Sequence, residues 1–362
     1  MISPSDHDGP ASGPEGLGDL ARLADHVAAE LGPGFFAGLP RAELVEGGKS
    51  NLTYHVTDGT QSWALRRPPL GHVLPTAHDM SREFRLISAL APTTVPVPQP
   101  VLLITDPDVL GSTFYLMEWV DGTVYRTAGQ TADLAPARAA ALVESMLDVL
   151  ADVHSLDPAS VGLGDFGRPV GFLDRQLRRW LAQLDASRSR PLPGIDELHA
   201  TLSRTLPESP APAILHGDYR LDNLIIGADD SIAAVVDWEM TTVGDPLTDV
   251  GLLLVYWDGL SGLPGSVSEA VGPASPFPRG DALIDGYSRR TGADLATLPW
   301  YVAFGYFKLA VINEGIYYRH AHGQTVGAGF EHMGDHTAAL VQLGHRTLRA
   351  GALPARPSRE EN

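Results

Sequence analysis

The stretch Ile214–Asp249, ILHGDYRLDNLIIGADDSIAAVVDWEMTTVGDPLTD, leaves this chain few folds to choose from. Its short apolar runs, separated by polar and acidic loops, read as a strand, a loop, two further strands and an acidic loop that opens a helix. The first loop carries His216, Asp218 and Asn223, and Asp237 stands directly behind the apolar run Ile232–Val236. One carboxylate that accepts the proton of an attacking hydroxyl, with a carboxylate and an amide oxygen that hold magnesium on phosphates, is the equipment phosphoryl transfer from ATP needs. On this reading Asp218 is the base, and Asn223 and Asp237 are the ligands of Mg2+.

The residues that follow H-x-D-x-x-x-x-N make the pattern more specific. His216 to Asn223 reads HGDYRLDN, Val236 to Glu239 reads VDWE, and Gly244 to Asp249 reads GDPLTD. In these segments the chain resembles the aminoglycoside phosphotransferase and choline kinase-like superfamily. It is most similar there to the kinase-like domains that accompany acyl-CoA dehydrogenases, over residues 40–345. The resemblance implies a bilobal, protein-kinase-like α+β fold with a small β-rich N-lobe and a larger, mainly helical C-lobe. It also implies a small-molecule kinase that moves the γ-phosphate of ATP to an acceptor hydroxyl, and a functional link to acyl-CoA metabolism.

Upstream, Leu20–Leu31 has helical apolar spacing and stops at Gly32 and Pro33. Three strands follow, Ala42–Glu46, Leu52–Val56 and Ser62–Arg67, with Asp58-Gly59 turning the second into the third. The junction Gly47-Gly48-Lys49-Ser50-Asn51 lets backbone amides approach a phosphate. Gly48-Lys49-Ser50 ends like a Walker A motif, but Glu43 stands where its first glycine belongs and a strand pattern follows. The resemblance makes this junction the phosphate-covering loop, with Gly47, Gly48, Ser50 and Asn51 on the nucleotide. Trp63-Ala64-Leu65-Arg66 occupies the place of a kinase V-A-I-K, so Arg66 stands for the lysine. Glu83, in a predicted helix Asp79–Leu90, is its implied ion-pair partner; Arg67, on the other face of the strand, is expected in solvent. Strands at Val101–Thr105 and Thr113–Met117 lead to a hinge near residue 119, where Glu118 and Val120 are candidates for the adenine.

Beyond the hinge the pattern is helical: Pro136–His154, Phe172–Leu184, Ile195–Leu206, Leu247–Tyr256, Ala282–Arg289, Leu298–His320 and Met333–Arg349. His154 and His216 are read as structural supports of the loop, Arg220 as an offset to its carboxylates and Asp222 as a surface residue. Asp245 and Pro246 read as a helix cap, with Asp249 bonding back to the loop. Glu314, Tyr317, Tyr318 and Arg319 are acceptor contacts or an interhelical ion pair. The expected layout is a disordered segment 1–17, an N-lobe 18–118, a C-lobe 119–350 and a loose tail 351–362.

The composition narrows the partners. A net charge of −18 repels a nucleic-acid backbone, and the lack of cysteine excludes thiolate metal sites and disulfides. The first residues lack the basic start and apolar core of a secretory signal, and no apolar run reaches the roughly 18–20 residues that span a bilayer. The expectation is a cytoplasmic protein acting on a small-molecule hydroxyl, without nucleic acid or membrane. Two other classes stay open. A nucleotide-binding pseudokinase is suggested by Arg66 and the thin glycine loop, and a metal-dependent hydrolase would use His216, Asp218 and Asp237 as ligands.

Overall fold

Asp19 starts the first helix: its carboxylate accepts the Ala21 N–H at 2.9 Å, and helix α1 (Leu20–Leu31) ends at Gly32 in a positive-φ conformation. The computed structural model describes residues 17–45, 51–69, 79–261, 263, 266, 268–323, 333–353 and 355. The chain divides into two units, Met1–Thr93 with Val97–Asp121, and Thr94–Pro96 with Gly122–Asn362. A β-rich first unit and a mainly helical second one meet the α+β expectation.

In the first unit, β1 (Arg41–Leu44), β2 (Leu52–Thr57), β3 (Ser62–Arg67), helix α2 (Met80–Leu90), β4 (Pro100–Ile104), the short α3 (Pro107–Leu110) and β5 (Phe114–Glu118) follow α1. The strands form one antiparallel sheet in the order β1-β2-β3-β5-β4. Asp58 makes the β2–β3 turn by accepting the backbone N–H groups of Thr60 and Gln61 at 2.7 and 2.8 Å, and that of Ala37 at 2.8 Å. Those bonds, from Ala37 foremost, hold its carboxyl below the usual carboxylate range.

Side chains on both faces of β3 are covered, by α1 on one side and α2 on the other. Trp63 and Leu65 pack with Tyr54, Val56 and the α1 residues Leu20, Leu23 and Val27. Arg67 lies on that same face and is 6% exposed, so the expectation that it meets solvent is corrected. The alternation was right, but the face it points to is roofed by α1. Burial pushes the Arg67 guanidinium pKa down against the opposing influence of Tyr54. Arg66, on the opposite face, turns toward α2, whose N-cap Asp79 accepts the Arg82 N–H at 3.0 Å.

The second unit contains α4 (Ala128–Thr131), α5 (Pro136–Ser155), α6 (Phe172–Ser187), α7 (Ile195–Arg204), β6 (Ala213–Leu215), β7 (Leu224–Ile226), β8 (Ile232–Val235), β9 (Thr242–Gly244), α8 (Leu247–Leu254), α9 (Gly280–Thr291), α10 (Leu298–Ala321) and α11 (Asp335–Ala350). β6 pairs with β9 and β7 with β8, both antiparallel. Helix α10 is apolar nearly all round, as a helix enclosed by neighbours must be; α6, α7, α8 and α11 pack on it. Gly251 lets α8 and α10 touch backbone to backbone, since a Cβ there would lie 2.6 Å from the Tyr301 carbonyl carbon. Among the described residues no helix is long and apolar enough to cross a membrane.

Candidate active site

β6 delivers the chain to His216, and Gly217 turns it at φ +84°; a Cβ at Gly217 would sit 2.7 Å from the Met240 carbonyl oxygen. The loop is then held from two helices. Asp249, 2% exposed on the first turn of α8, accepts the N–H groups of His216 at 2.7 Å and Gly217 at 2.9 Å. Its Oδ2 also lies 3.3 Å from Nε2 of His154, whose Nδ1 is 2.8 Å from the Tyr287 hydroxyl. Burial by itself would push the Asp249 carboxyl up; His154 foremost, with His216 and the Gly217 N–H, outweighs it and leaves the group below its ordinary value. Lys308 of α10 donates its Nζ proton to the Gly217 carbonyl at 2.8 Å.

His216 braces the loop from inside. The Asp218 N–H donates to its Nδ1 at 3.2 Å, so the ring proton lies on Nε2 and is donated to the Val236 carbonyl at 3.1 Å. Both ring nitrogens are therefore engaged with backbone, and His216 has none left for a metal.

Around Asp218 every polar contact has a direction. The Tyr256 hydroxyl donates to Oδ1 at 2.6 Å, and Asn223 Nδ2 donates to the Asp218 carbonyl at 2.8 Å and to Oδ2 at 3.1 Å. Both Asn223 partners can only accept, so the amide nitrogen is fixed on Asp218 and the amide oxygen faces the other way. The Asn223 carbonyl takes the Val236 N–H at 3.0 Å, extending the β7–β8 ladder in which Leu224 pairs with Val235. Asp237 follows at φ 65°, ψ 57°, a left-handed conformation uncommon outside glycine, though aspartate enters it more readily than most. Trp238 anchors the bend, donating its indole N–H to the Val235 carbonyl at 2.9 Å while its ring lies 4.6 Å from that of His216.

The hairpin thus brings Asn223 and the turn carrying Asp237 side by side, with Asp218 bonded to the first. Carboxylate and amide oxygens are hard donors of the kind magnesium takes, and magnesium completes its shell from phosphates and water. Among the described residues no three His, Asp or Glu gather as a closed metal site would require.

The electrostatics are local. Burial would push the Asp218 carboxyl up, but Arg220, with Nε 3.3 Å from Oδ2, together with Tyr256 and Lys308, leaves it below its ordinary value. Arg220 also lies 3.7 Å from Asp222, whose carboxyl burial pushes up. Asp222 is thus half-buried beside the loop, and its reading as a surface residue is corrected. The N-cap of α8 is Pro246, one residue later than expected; Asp245 precedes it, and its carboxylate accepts the Leu247 N–H at 3.0 Å and the Tyr301 hydroxyl at 2.7 Å.

In the first unit Arg66 and Glu83 meet, with Nε 3.0 and 3.1 Å from the two carboxylate oxygens. The pair is buried, at 8% and 4% exposure, so neither side chain is an ordinary surface charge. Asn51 is buried, whereas Gly47, Gly48, Lys49 and Ser50 lie outside the described residues. Glu118 closes β5, its N–H donated to the Gln99 carbonyl at 2.8 Å, and Val120 is half-buried.

Glu314 is fully buried and chelates Arg190, which also donates to the Gly334 carbonyl at 2.6 Å and stacks 4.2 Å above the Tyr317 ring. Glu314 thus forms its ion pair with the loop between α6 and α7 and not with another helix, and Tyr317 packs against the same guanidinium.

Tyr256 and Lys308 escaped the sequence reading. Lys308 is one of two lysines among 26 basic residues and sits within the apolar run of α10, a signal that was available. Tyr256 carried none.

Comparisons with known proteins give the family. The model of the phosphotransferase enzyme family (APH) matches residues 41–300. Acyl-CoA dehydrogenase family member 11 of Rattus norvegicus is 37% identical over 285 residues, covering 76% of this chain and 36% of the relative. The chain therefore spans about a third of the length of that relative. A presumed aminoglycoside phosphotransferase from Ralstonia eutropha JMP134 superposes with a TM-score of 0.78 at 30% identity, covering 92% of this chain and 98% of its own. The ADP-bound aminoglycoside phosphotransferase APH(2'')-Ib shares the fold at a TM-score of 0.57 and 15% identity, over 90% of this chain and 98% of its own. The architecture is the bilobal, kinase-like α+β fold, and the chain belongs to the phosphotransferase enzyme family.

Proposed function

We propose that this phosphotransferase moves the γ-phosphate of ATP to the hydroxyl of a small molecule, with Asp218 as the base. The observation that carries the reading is the pair of hydrogen bonds from the Asn223 amide nitrogen to Asp218, which turns the amide oxygen away from Asp218, while the Asn223 backbone carbonyl takes the N–H of Val236, the neighbour of Asp237. Asn223 and Asp237 would hold Mg2+, which when bound neutralises the phosphates and orients them for in-line attack. The acceptor oxygen forms a bond to the γ-phosphorus, the bond to the β,γ-bridging oxygen breaks and ADP leaves. The acceptor proton passes to the Asp218 carboxylate. That group suits the task because its neighbours keep it ionised.

Arg66, held by Glu83, supplies the nucleotide phosphates with a permanent charge in the place of the usual lysine. On this reading Gly47, Gly48, Ser50 and Asn51 cover the phosphates, and Glu118 and Val120 flank the adenine. Residues 18–118 then serve as nucleotide lobe and 119–350 as catalytic lobe. The use of ATP is supported by the nucleotide-bound relative, and a hydroxylated acyl thioester is favoured as acceptor by the name of the mammalian one.

The test is ADP release with Mg·ATP across a panel of alcohols that includes hydroxyacyl thioesters, aminoglycosides, macrolides and amino alcohols. At least one acceptor should stimulate turnover, and Asp218→Ala should lower it by about 10²- to 10⁴-fold, the usual share of a general base. Binding of ATP with no acceptor-dependent turnover would favour a regulatory nucleotide binder instead.

A further inference from the structure

Among the side chains that hold the loop His216–Asp218, three from the helical part of the second unit do different things. Asp249 takes the backbone N–H groups of residues 216 and 217, and Lys308 takes the Gly217 carbonyl. Tyr256 instead contacts the carboxylate of Asp218.

Asp249 and Tyr256 are seven residues apart, two helical turns, so one face of the α8 segment grips the loop at both ends. Tyr256 stands where the α-helix gives way to a π-helical turn, Val255–Gly259. Such turns add one residue to the ring of backbone bonds, shift the side chains around the axis and recur at functional sites. The side chain is 6% exposed, and its ring lies under the Arg220 guanidinium at 5.2 Å. That guanidinium pairs with Oδ2 while the hydroxyl of the same ring donates to Oδ1, so Tyr256 and Arg220 support each other and grip opposite oxygens of one carboxylate.

We propose that Tyr256 is a positioning residue which fixes the rotation of the Asp218 carboxylate, so that one lone pair of the base points at the acceptor hydroxyl. The terminal rotation of an aspartate is soft, and a base must meet its proton within hydrogen-bond reach at the right angle. A short bond from a buried phenol removes that freedom before any acceptor arrives. The inference rests on Asp218 being the base.

The experiment is steady-state hydrolysis of Mg·ATP, with water as acceptor, by the wild-type chain and by Tyr256→Phe, Tyr301→Phe and Asp218→Ala. Tyr301→Phe is the structural control: it too loses a buried tyrosine hydroxyl bonded to a carboxylate, Asp245, at 2.7 Å. Tyr256→Phe should lower kcat by about tenfold or more with the KM for ATP within about twofold, misplacement of a reacting group being costly in rate. Tyr301→Phe should lose a similar amount of thermal stability and keep its kcat. Crystals of Tyr256→Phe should show the Asp218 carboxylate rotated or split.

The proposal is overturned, with the base reading intact, if Asp218→Ala abolishes turnover while Tyr256→Phe keeps kcat within about twofold. A rise in kcat for Tyr256→Phe also overturns it, because the hydroxyl would then be obstructing the base. So does a crystal structure in which the carboxylate keeps its wild-type orientation. Wild-type turnover by Asp218→Ala would instead remove the reading on which the proposal stands.

Discussion

A cation in a sheet interior is held there by its partner, and Arg66 illustrates the cost of losing one. Glu83→Ala leaves the guanidinium buried without its carboxylate, and should lower unfolding free energy by about 3–5 kcal/mol and raise the KM for ATP. The double variant Arg66→Met with Glu83→Leu should recover most of the stability but not the activity; denaturant melts and ADP-release kinetics report the two. Asp249 makes a pH-dependent contribution whose sign follows from its depressed folded pKa. That contribution is present in full above the ordinary carboxylate value of about 4 and is lost as pH falls through the lower folded value. Asp249→Asn should cost about 2–3 kcal/mol at neutral pH, since it replaces an acceptor of backbone N–H groups by a partial donor. The gap from wild type should narrow only below about pH 4, as read from melts at stepped pH.

Helix α8 links packing to chemistry. It lies against α10 through Gly251, and the same eight-residue helix carries Asp249 to the loop His216–Asp218 and leads into Tyr256. Gly251→Ala should push α8 off α10, at about 1–3 kcal/mol of overpacking, and should lower kcat as well because both loop contacts move with the helix. A melt combined with turnover measurements checks this; a loss of stability with unchanged kcat would mean the loop does not depend on where α8 sits. The elements themselves were largely legible. Leu20–Leu31 and Ser62–Arg67 were read at the bounds observed, because capping residues and alternation are encoded within a few positions. Arg67 was misjudged because alternation says which residues share a face and not whether a helix covers it. The π-helical turn after Leu254 had no signature either, since its sequence continues the apolar pattern of α8.

On the scale of the whole molecule, a net charge of −18 opposes the approach of ATP, while Arg66, Arg220 and Lys308 supply positive charge at the elements described above. Raising ionic strength from about 0.01 M to about 0.15 M shortens the screening length from about 30 Å to about 8 Å, which weakens the distant repulsion more than contacts at the site. The KM for ATP should therefore fall over that range, as measured by initial rates at constant free magnesium; a rise from the lowest salt upward would mean that the local cations dominate. The residues assigned to the proposed chemistry could be named from sequence because Asn223 and Asp237 flank one hairpin and His216 and Asp218 lie on the loop that leads into it, a short stretch of chain in which spacing is informative. What keeps them in place was legible only in part: Asp249 and His154 were read as supports of the loop, whereas Tyr256 and Lys308 reach it across 38 and 91 positions, and nothing local in a sequence records those contacts. The amino-acid order determined which groups are present and which elements carry them. The packing of α8 and α10 on the loop decided how they are aimed, because side-chain direction depends on neighbours that only folding assembles.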